Sequence, residues 1–157
     1  MVTTLHQYHQ KLRDARNGMD ADVMDEVSDI NEMLDQLADI NSQVPRASFD
    51  GGDAGDLKDR RDLIIDELSR RVGISLTESD NGQISVLLAG HNLLQGDHVV
   101  HLEVRQTVDD GTSVSQVHYG DDGTRARISE GRLRGLIEVR DNFVPKLLVA
   151  HIRTNLP

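Results

Sequence analysis

A long helical pattern near the start of the chain limits its folding most strongly. Residues 3–44 contain no Pro and a single Gly, Gly18. A helix over this stretch would be roughly 60 Å long at about 1.5 Å per residue, which indicates a rod-like or coiled-coil-like element. Apolar residues recur within it at alternating steps of four and three, the spacing of an a/d stripe: Val23, Val27, Ile30, Leu34 and Leu37.

The ends of this helix are predicted from Gly and Pro. If Asn17-Gly18 breaks it, residues 20–44 remain as its secure part. Pro45 is expected to end it, since Pro lacks the backbone N–H that a helix needs. Residues 46–56, "RASFDGGDAGD", then have the composition of a loop.

A second helix is predicted over residues 57–72. Asp56 is its expected N-cap, with Asp59 three residues on in a weak capping-box pattern, and Gly73 is expected to stop it. Its apolar face is formed by Leu57, Ile64, Ile65, Leu68 and Val72.

At Gly73 the period of the pattern changes from the helical value to two. Apolar and polar residues alternate on both sides of Asn81-Gly82, a dipeptide that tolerates positive φ. We therefore expect an antiparallel hairpin of residues 74–78 and 83–88 that turns at Asn81-Gly82.

The remainder of the sequence predicts another strand pair and a final helix. Residues 98–108 and 112–120 are expected to pair around Asp109-Asp110-Gly111. The helical period returns at about Ser129 and continues to residue 154, with Pro145 expected to kink this helix or to mark a joint.

Helices and strands are therefore segregated along the chain, which predicts an α+β fold. We expect the three helices to pack as a bundle with the antiparallel β segment at one end. The whole chain, 1–157, is predicted to form a single unit made of a long helix over 3–44, a helix over 57–72, a β segment over 74–120 and a helix over 129–154.

Composition excludes several classes of function. The formal net charge of −10 argues against a nucleic-acid partner, which would need a basic face. The absence of Cys excludes disulfides, thiolate metal sites and a Cys nucleophile. No run of 18 apolar residues is present, and the first residues lack the apolar core of a cleaved secretion signal, which leaves export by another route open.

No residue is predicted to be catalytic, cofactor-binding or metal-binding. His6 and His9 share a helix face, but no metal-binding motif surrounds them. His98 and His101 are three apart on a predicted strand and so point to opposite faces; His91, His118 and His151 are isolated in sequence. "DGGDAGD", residues 50–56, lacks the ligand spacing of a calcium loop.

An Arg-Asp pair recurs on two of the predicted helices. Arg61-Asp62 and Arg140-Asp141 both follow the pattern Leu-x-x-x-Arg-Asp-x-Φ-Φ-x-x-Leu, where Φ is apolar. One interpretation is an amphipathic helix with snorkelling arginines. The other is a polar clamp, in which a carboxylate or amide on the neighbouring helix holds each arginine. We predict that Arg61 and Arg140 are partly buried structural anchors.

Three segments in order resemble the flagellar hook-associated protein 1 family. They are "VSDINEMLDQLADIN" (residues 27–41), "GGDAGDLKDRRDLIIDELSRRVGI" (51–74) and "ISEGRLRGLIEVRDNFVPKL" (128–147). Their order, their spacing and both Arg-Asp steps match the family pattern, so the resemblance covers about residues 5–150. Members of that family are much longer, so the resemblance implies an internal fragment of such a protein.

The resemblance implies a structural, non-enzymatic role at the junction between flagellar hook and filament. It implies export through the flagellar secretion apparatus to the extracellular flagellum. The implied partners are the hook protein, a second junction protein, further copies of itself and an export chaperone, with no nucleic acid and no membrane. This fragment alone is expected to be a monomer.

A cytosolic coiled-coil adaptor, or a chaperone-like binding module, is the alternative. The same heptads and acidity would suit it, but it would need neither the β segment nor the second Arg-Asp helix. An enzyme ranks third, because no catalytic motif is present.

Overall fold

A computed structural model describes residues 2–49, 54–109 and 112–154 of the chain. Two helices precede the β segment in the chain and one follows it: α1 is Val2–Phe49, α2 is Gly55–Arg71 and α3 is Gly131–Thr154. The six strands are β1 (Ser75–Glu78), β2 (Ile84–Leu88), β3 (His91–Gln95), β4 (His98–Val99), β5 (Leu102–Asp109) and β6 (Thr112–Tyr119). The α+β class is confirmed.

Helix α1 passes through both predicted interruptions. It is continuous across Asn17-Gly18, and the expectation that Pro45 ends it is wrong, because it continues to Phe49. Pro45 lacks the N–H that would bond the carbonyl oxygen of Asn41. The side chain of Gln83 supplies a donor instead, with its Nε2 3.1 Å from that oxygen. The helix therefore tolerates Pro45 because a neighbouring segment replaces the lost hydrogen bond.

Helix α2 begins earlier than predicted. Ala54 occupies the N-cap position without a side-chain hydrogen bond, and Asp56 lies in the first turn. The prediction of Asp56 as N-cap, with a capping box to Asp59, is therefore wrong. Asp56 still stabilises this end of the helix, because a carboxylate in the first turn interacts favourably with the helix dipole.

The first predicted hairpin is confirmed. Strands β1 and β2 pair antiparallel, with Glu78 opposite Ile84. Gly82 adopts a φ of 80° in the turn, and the Gly82 N–H donates to the carbonyl oxygen of Ser79 at 2.9 Å. Gly82 permits this tight connection since positive φ carries no steric cost for glycine.

The β segment has more strands than predicted. Strands β1 to β4 form an antiparallel sheet in sequence order, and β5 with β6 forms a separate hairpin. The single strand expected over 98–108 is divided into β4 and β5, because the Val100 N–H donates to the carbonyl oxygen of Leu93 at 2.8 Å and holds β4 against β3. Strand β3 was not predicted.

The second strand pair turns where predicted, and the last helix is present; a joint at Pro145 is wrong, because α3 is one continuous helix, and a kink there stays a prediction. Asp109 of β5 lies opposite Thr112 of β6, and the turn residues 110 and 111 lie outside the described residues. Helix α3 runs through Pro145 to Thr154. Its first residue, Gly131, has a φ of 86°, and a Cβ there would lie 2.5 Å from the carbonyl oxygen of Arg71, so only glycine lets α3 start against the end of α2.

One buried cluster is shared by all three helices and both sheets. Its helical members include the predicted α1 stripe with Leu68 and Leu133, Val72 joins it directly after α2, and its strand members include Val86, Leu93, Leu94, Leu102 and Val117. The β segment packs along the carboxyl-terminal part of α1, where Asn31 and Asn41 contact it. Among the described residues, no helix combines enough length with enough apolar character to cross a lipid bilayer.

Candidate functional site

Arg61 is the first of the two predicted arginine anchors, and it is buried in α2 with 6% of its surface exposed. Its Nη1 donates to the carbonyl oxygen of Gly82 at 2.9 Å, in the turn between β1 and β2. The same Nη1 lies 3.7 Å from Oε1 of Glu78, and Nε donates to Oδ1 of Asp62 at 3.4 Å. Arg61 therefore joins α2 to the first hairpin.

Arg140, the second anchor, is 3% exposed in α3. Its Nε donates to Oδ1 of Asp141 at 2.8 Å, and its Nη1 donates to Oδ1 of Asp20 on α1 at 3.3 Å. In both pairs Nε bonds the following Asp while Nη1 reaches another element. The prediction that both arginines are buried anchors bonded to adjacent segments is confirmed. The clamp to a neighbouring helix holds for Arg140 and is wrong for Arg61, whose partners outside α2 lie in the first hairpin.

A third polar joint, which the sequence did not indicate, connects all three helices. Glu26 of α1 is 3% exposed, and its Oε2 lies 3.0 Å from Nη1 of Arg71 on α2 and 3.3 Å from Nε of Arg132 on α3. Arg71 also bonds Asp29 at 2.7 Å and Glu67 at 3.1 Å. Burial alone would lower the pKa of Arg71, but the neighbouring carboxylates outweigh it and raise that pKa.

Two asparagines of α1 hold strands by imitating a backbone partner. The Asn31 side chain donates from Nδ2 to the carbonyl oxygen of Leu102 at 2.9 Å and accepts the Leu102 N–H at 2.8 Å. Asn41 makes the same two bonds with Ile84, at 2.7 and 2.9 Å, and also donates to the carbonyl oxygen of Gly96 at 2.9 Å. These amides fix where the β segment sits along α1.

A signal for Asn41 was present in the sequence. Asn41 lies four residues after Leu37 and three before Val44, so it continues the apolar stripe of α1 as a polar residue at a core position. Such residues commonly specify register at some cost in stability. Asn41 is fully buried, which agrees with that role.

His91 is isolated in sequence but not in space. Its ring stacks on Tyr119 with the centroids 3.9 Å apart, and its Nε2 lies 3.0 Å from Oδ2 of Asp121. Asp122 completes a group whose oxygen and nitrogen atoms lie within 4.8 Å of one another. Asp122 is already engaged, however, because it accepts bonds from the N–H and the hydroxyl of Thr124 at 2.8 Å each. These contacts stabilise the turn that follows β6.

The other histidines are separate from one another. His101 pairs with Asp35 across 2.8 Å, His118 pairs with the carbonyl oxygen of Gly123 across 2.9 Å, and His98 is exposed on β4. The side chains of His6, His9 and His151 lie outside the described part of the structure. That the chain binds no metal and no cofactor stays a prediction.

Among the side chains that the structure describes, four large apolar ones are exposed on the surface. Leu63 of α2 is the most exposed, at 71%, followed by Val139 of α3 at 51%. Met24 of α1 and Leu76 of β1 are each 42% exposed. Isolated apolar residues are common on protein surfaces, but these also offer contact points for another protein.

Comparison with known proteins agrees with this architecture. The family model described as the flagellar hook-associated protein FlgK helical domain matches residues 1–150. Flagellar hook-associated protein 1 of Salmonella typhimurium is 29% identical over 148 residues, and that of Bacillus subtilis is 28% identical over 156 residues. These matches cover 89% and 88% of this chain but only 27% and 31% of the relatives, so the chain spans less than a third of their length.

A solved structure shows the same arrangement. The flagellar hook junction protein FlgK from Burkholderia pseudomallei superimposes with a TM-score of 0.68 at 27% sequence identity, over 83% of this chain and 25% of the other. The resemblance inferred from three sequence segments is thereby confirmed. By its family match, its helix and strand order and its similarity to that structure, the chain belongs to the flagellar hook-associated FlgK helical-domain family.

Proposed function

We propose that this chain acts as the helical domain of a protein that joins the hook to the filament of the bacterial flagellum. The observation that carries the proposal is the helical-domain match over residues 1–150. The names of the relatives, hook-associated and hook junction protein, support this location. The role is structural, without catalysis or a cofactor.

The polar joints support a structural role. A shaft component must hold its helices and strands in one arrangement, and buried charge-assisted hydrogen bonds are directional as well as strong. Here Arg61 joins α2 to the first hairpin, Arg140 joins α3 to α1, and Glu26 meets arginines from both α2 and α3. Each joint links different elements of the fold, so the domain would resist internal sliding.

The proposed partners are the other axial proteins of the flagellum. These are the hook protein, a second junction protein and further copies of the same protein, with an export chaperone before assembly. Leu63 and Val139, exposed on the outer faces of α2 and α3, are available for such contacts. We place the protein in the extracellular flagellum, exported by the flagellar secretion apparatus without a cleaved signal.

A deletion strain tests this function. Cells lacking the gene that encodes this chain should carry hooks without stable filaments under electron microscopy and should fail to swim. A plasmid copy of the gene should restore both. Filaments of normal length and number in the deletion strain would contradict the proposal.

The same strain tests the domain itself. A gene copy carrying Arg61→Ala together with Arg140→Ala should restore filaments poorly, because both anchors are lost. A copy carrying Arg70→Ala is the matched control, since the Arg70 side chain is 74% exposed on α2. Equal restoration by both copies, at equal protein levels, would mean that the anchors do not matter for the junction.

A further inference from the structure

A small cavity lies between strand β6, the segment that follows it and helix α3. Its volume is about 50 Å³, several times the roughly 10–15 Å³ that one water molecule requires on the same measure. Ser115 and Val117 of β6 form one wall, and Ile137 and Arg140 of α3 form another. The cavity therefore has room for a ligand larger than a single water molecule.

Ser115 is the most informative residue of this wall. It is only 2% exposed, and its Oγ has no hydrogen-bond partner among the described residues. A buried hydroxyl without a partner is costly, so such groups in folded proteins generally bond an ordered water or an ion. The hydroxyl thus indicates that something polar occupies the cavity.

The charge of the lining points to the kind of occupant. Arg125, Arg134 and Arg140 all line the cavity, whereas none of the described lining residues is acidic. Three carboxylates pair with two of these arginines, and all three lie outside the lining: Glu138 pairs with Arg134, and Asp20 and Asp141 pair with Arg140. The cavity therefore presents guanidinium groups and a hydroxyl to its contents.

The known contacts leave these guanidinium groups able to bind more. Arg140 uses Nε for Asp141 and Nη1 for Asp20. Arg134 bonds Oε1 of Glu138 through Nε at 2.8 Å, lies 2.7 Å from the same oxygen with Nη2, and approaches the carbonyl oxygen of Ile128 with Nη1 at 3.5 Å. A guanidinium carries more N–H donors than these contacts use, and such donors match small anions well.

We propose that this cavity binds a small inorganic anion, a halide or a phosphate-sized oxyanion, between Ser115 and the arginines. The anion would accept hydrogen bonds from the Ser115 hydroxyl on β6 and from Arg134 and Arg140 on α3. It thereby connects the second hairpin to the last helix. This inference is independent of the flagellar role, and its test uses the isolated chain.

Thermal unfolding of the chain tests the site. Sodium chloride, sodium phosphate and sodium gluconate are compared at matched ionic strength, with gluconate as the anion too large to enter. Matching the ionic strength removes the general screening expected for a protein with a net charge of −10. Chloride or phosphate should raise Tm saturably by about 3 °C or more at about tenfold above its dissociation constant. A response to chloride alone identifies a halide site, and a response to phosphate identifies an oxyanion site.

Two variants locate the effect. Ser115→Ala and Arg134→Gln should each lose most of the anion-dependent rise, while Arg70→Gln, whose residue does not line the cavity, should keep it. In gluconate, Ser115→Ala should melt at or above the temperature of the wild type, because it removes an unpartnered buried hydroxyl. The proposal is overturned if neither small anion exceeds gluconate, or if the rise persists in either variant.

Discussion

At the residue scale, each arginine anchor is stable because its guanidinium exchanges water for defined partners. The partners differ between the two anchors. Arg61 lies near two carboxylates, those of Asp62 and Glu78. Both side chains are more than half exposed and keep much of their hydration. Asp20, the partner of Arg140, has only 17% of its side chain exposed. Loss of Arg140 therefore leaves behind a more deeply buried charge.

Replacement of either anchor by Ala should lower the free energy of unfolding by about 1 to 3 kcal/mol, the scale of charge-assisted hydrogen bonds. Arg140→Ala should be the more damaging, since the largely buried Asp20 carboxylate would lose its Arg140 partner. Urea unfolding followed by circular dichroism measures both. Arg70→Ala, at a side chain 74% exposed, should stay within about 0.5 kcal/mol of the wild type. Anchor variants that unfold like the control would show that neither arginine stabilises the fold.

The turn after β6 gives a pH-dependent prediction. The Asp122 carboxylate accepts hydrogen bonds from the backbone N–H of Thr124 and from its hydroxyl. These bonds, the backbone one first, hold the pKa of Asp122 below its ordinary value. The ionised form is thus favoured in the folded state. The stabilisation is present above the ordinary Asp pKa and is lost as pH falls through the depressed one.

The variant Thr124→Val should raise the Asp122 pKa part of the way back, because it removes the hydroxyl donor and keeps the backbone donor. Carboxyl-carbon NMR titration measures the value directly. Thr77→Val, on the exposed strand β1, should leave the Asp122 pKa unchanged. An ordinary Asp122 pKa in the wild type would contradict the assigned hydrogen bonds.

At the element scale, Pro45 and Gln83 form a pair across two segments. Gln83→Ala should destabilise the wild type, because the carbonyl oxygen of Asn41 then loses its donor. In a Pro45→Ala background the helix supplies its own N–H, so the same Gln83 change should cost less. A double-mutant cycle by urea unfolding should give a coupling of about 0.5 to 1 kcal/mol. Additive effects would mean that Gln83 does not replace the missing helical bond.

The elements most visible in the sequence were those with strong local signals. The α1 stripe and the Asn81-Gly82 turn depend on short-range periodicity and on glycine, so both were predicted. The turn before β3 uses Ala89 at a φ of 50°, a conformation that alanine seldom adopts and does not signal. The turn between β3 and β4, by contrast, contains Gly96-Asp97, a dipeptide typical of tight hairpin turns.

Polar contacts between distant segments were only partly predictable. Arg61 and Arg140 were recognised because the same pattern occurs twice beside an apolar stripe. The continuation of α1 through Pro45 depends on Gln83, which lies 42 residues away from Asn41. Local sequence patterns do not indicate a hydrogen-bond donor from another element. The predicted end of α1 at Pro45 is therefore too early.

At the scale of the whole molecule, charge governs association. The formal net charge is −10, so copies of the chain repel one another at low salt. Sedimentation velocity at low ionic strength should therefore show a monomer across the micromolar range. Self-association there would show that exposed residues such as Leu63 and Val139 overcome this repulsion without any other partner.

The order of synthesis leaves the apolar stripe of α1 partly exposed until all its packing partners are made. The residues that close over α1 come late in the chain, since Asn31 bonds Leu102 and Asp20 meets Arg140, which are 71 and 120 residues further on. At ribosomal rates of roughly 5 to 20 residues per second, about 5 to 20 seconds separate residue 44 from residue 154. Until that interval ends, the stripe from Val23 to Leu37 is covered only in part, by α2 and the first strands. The newborn chain therefore exposes, for several seconds, part of an apolar stripe that is buried in the folded protein.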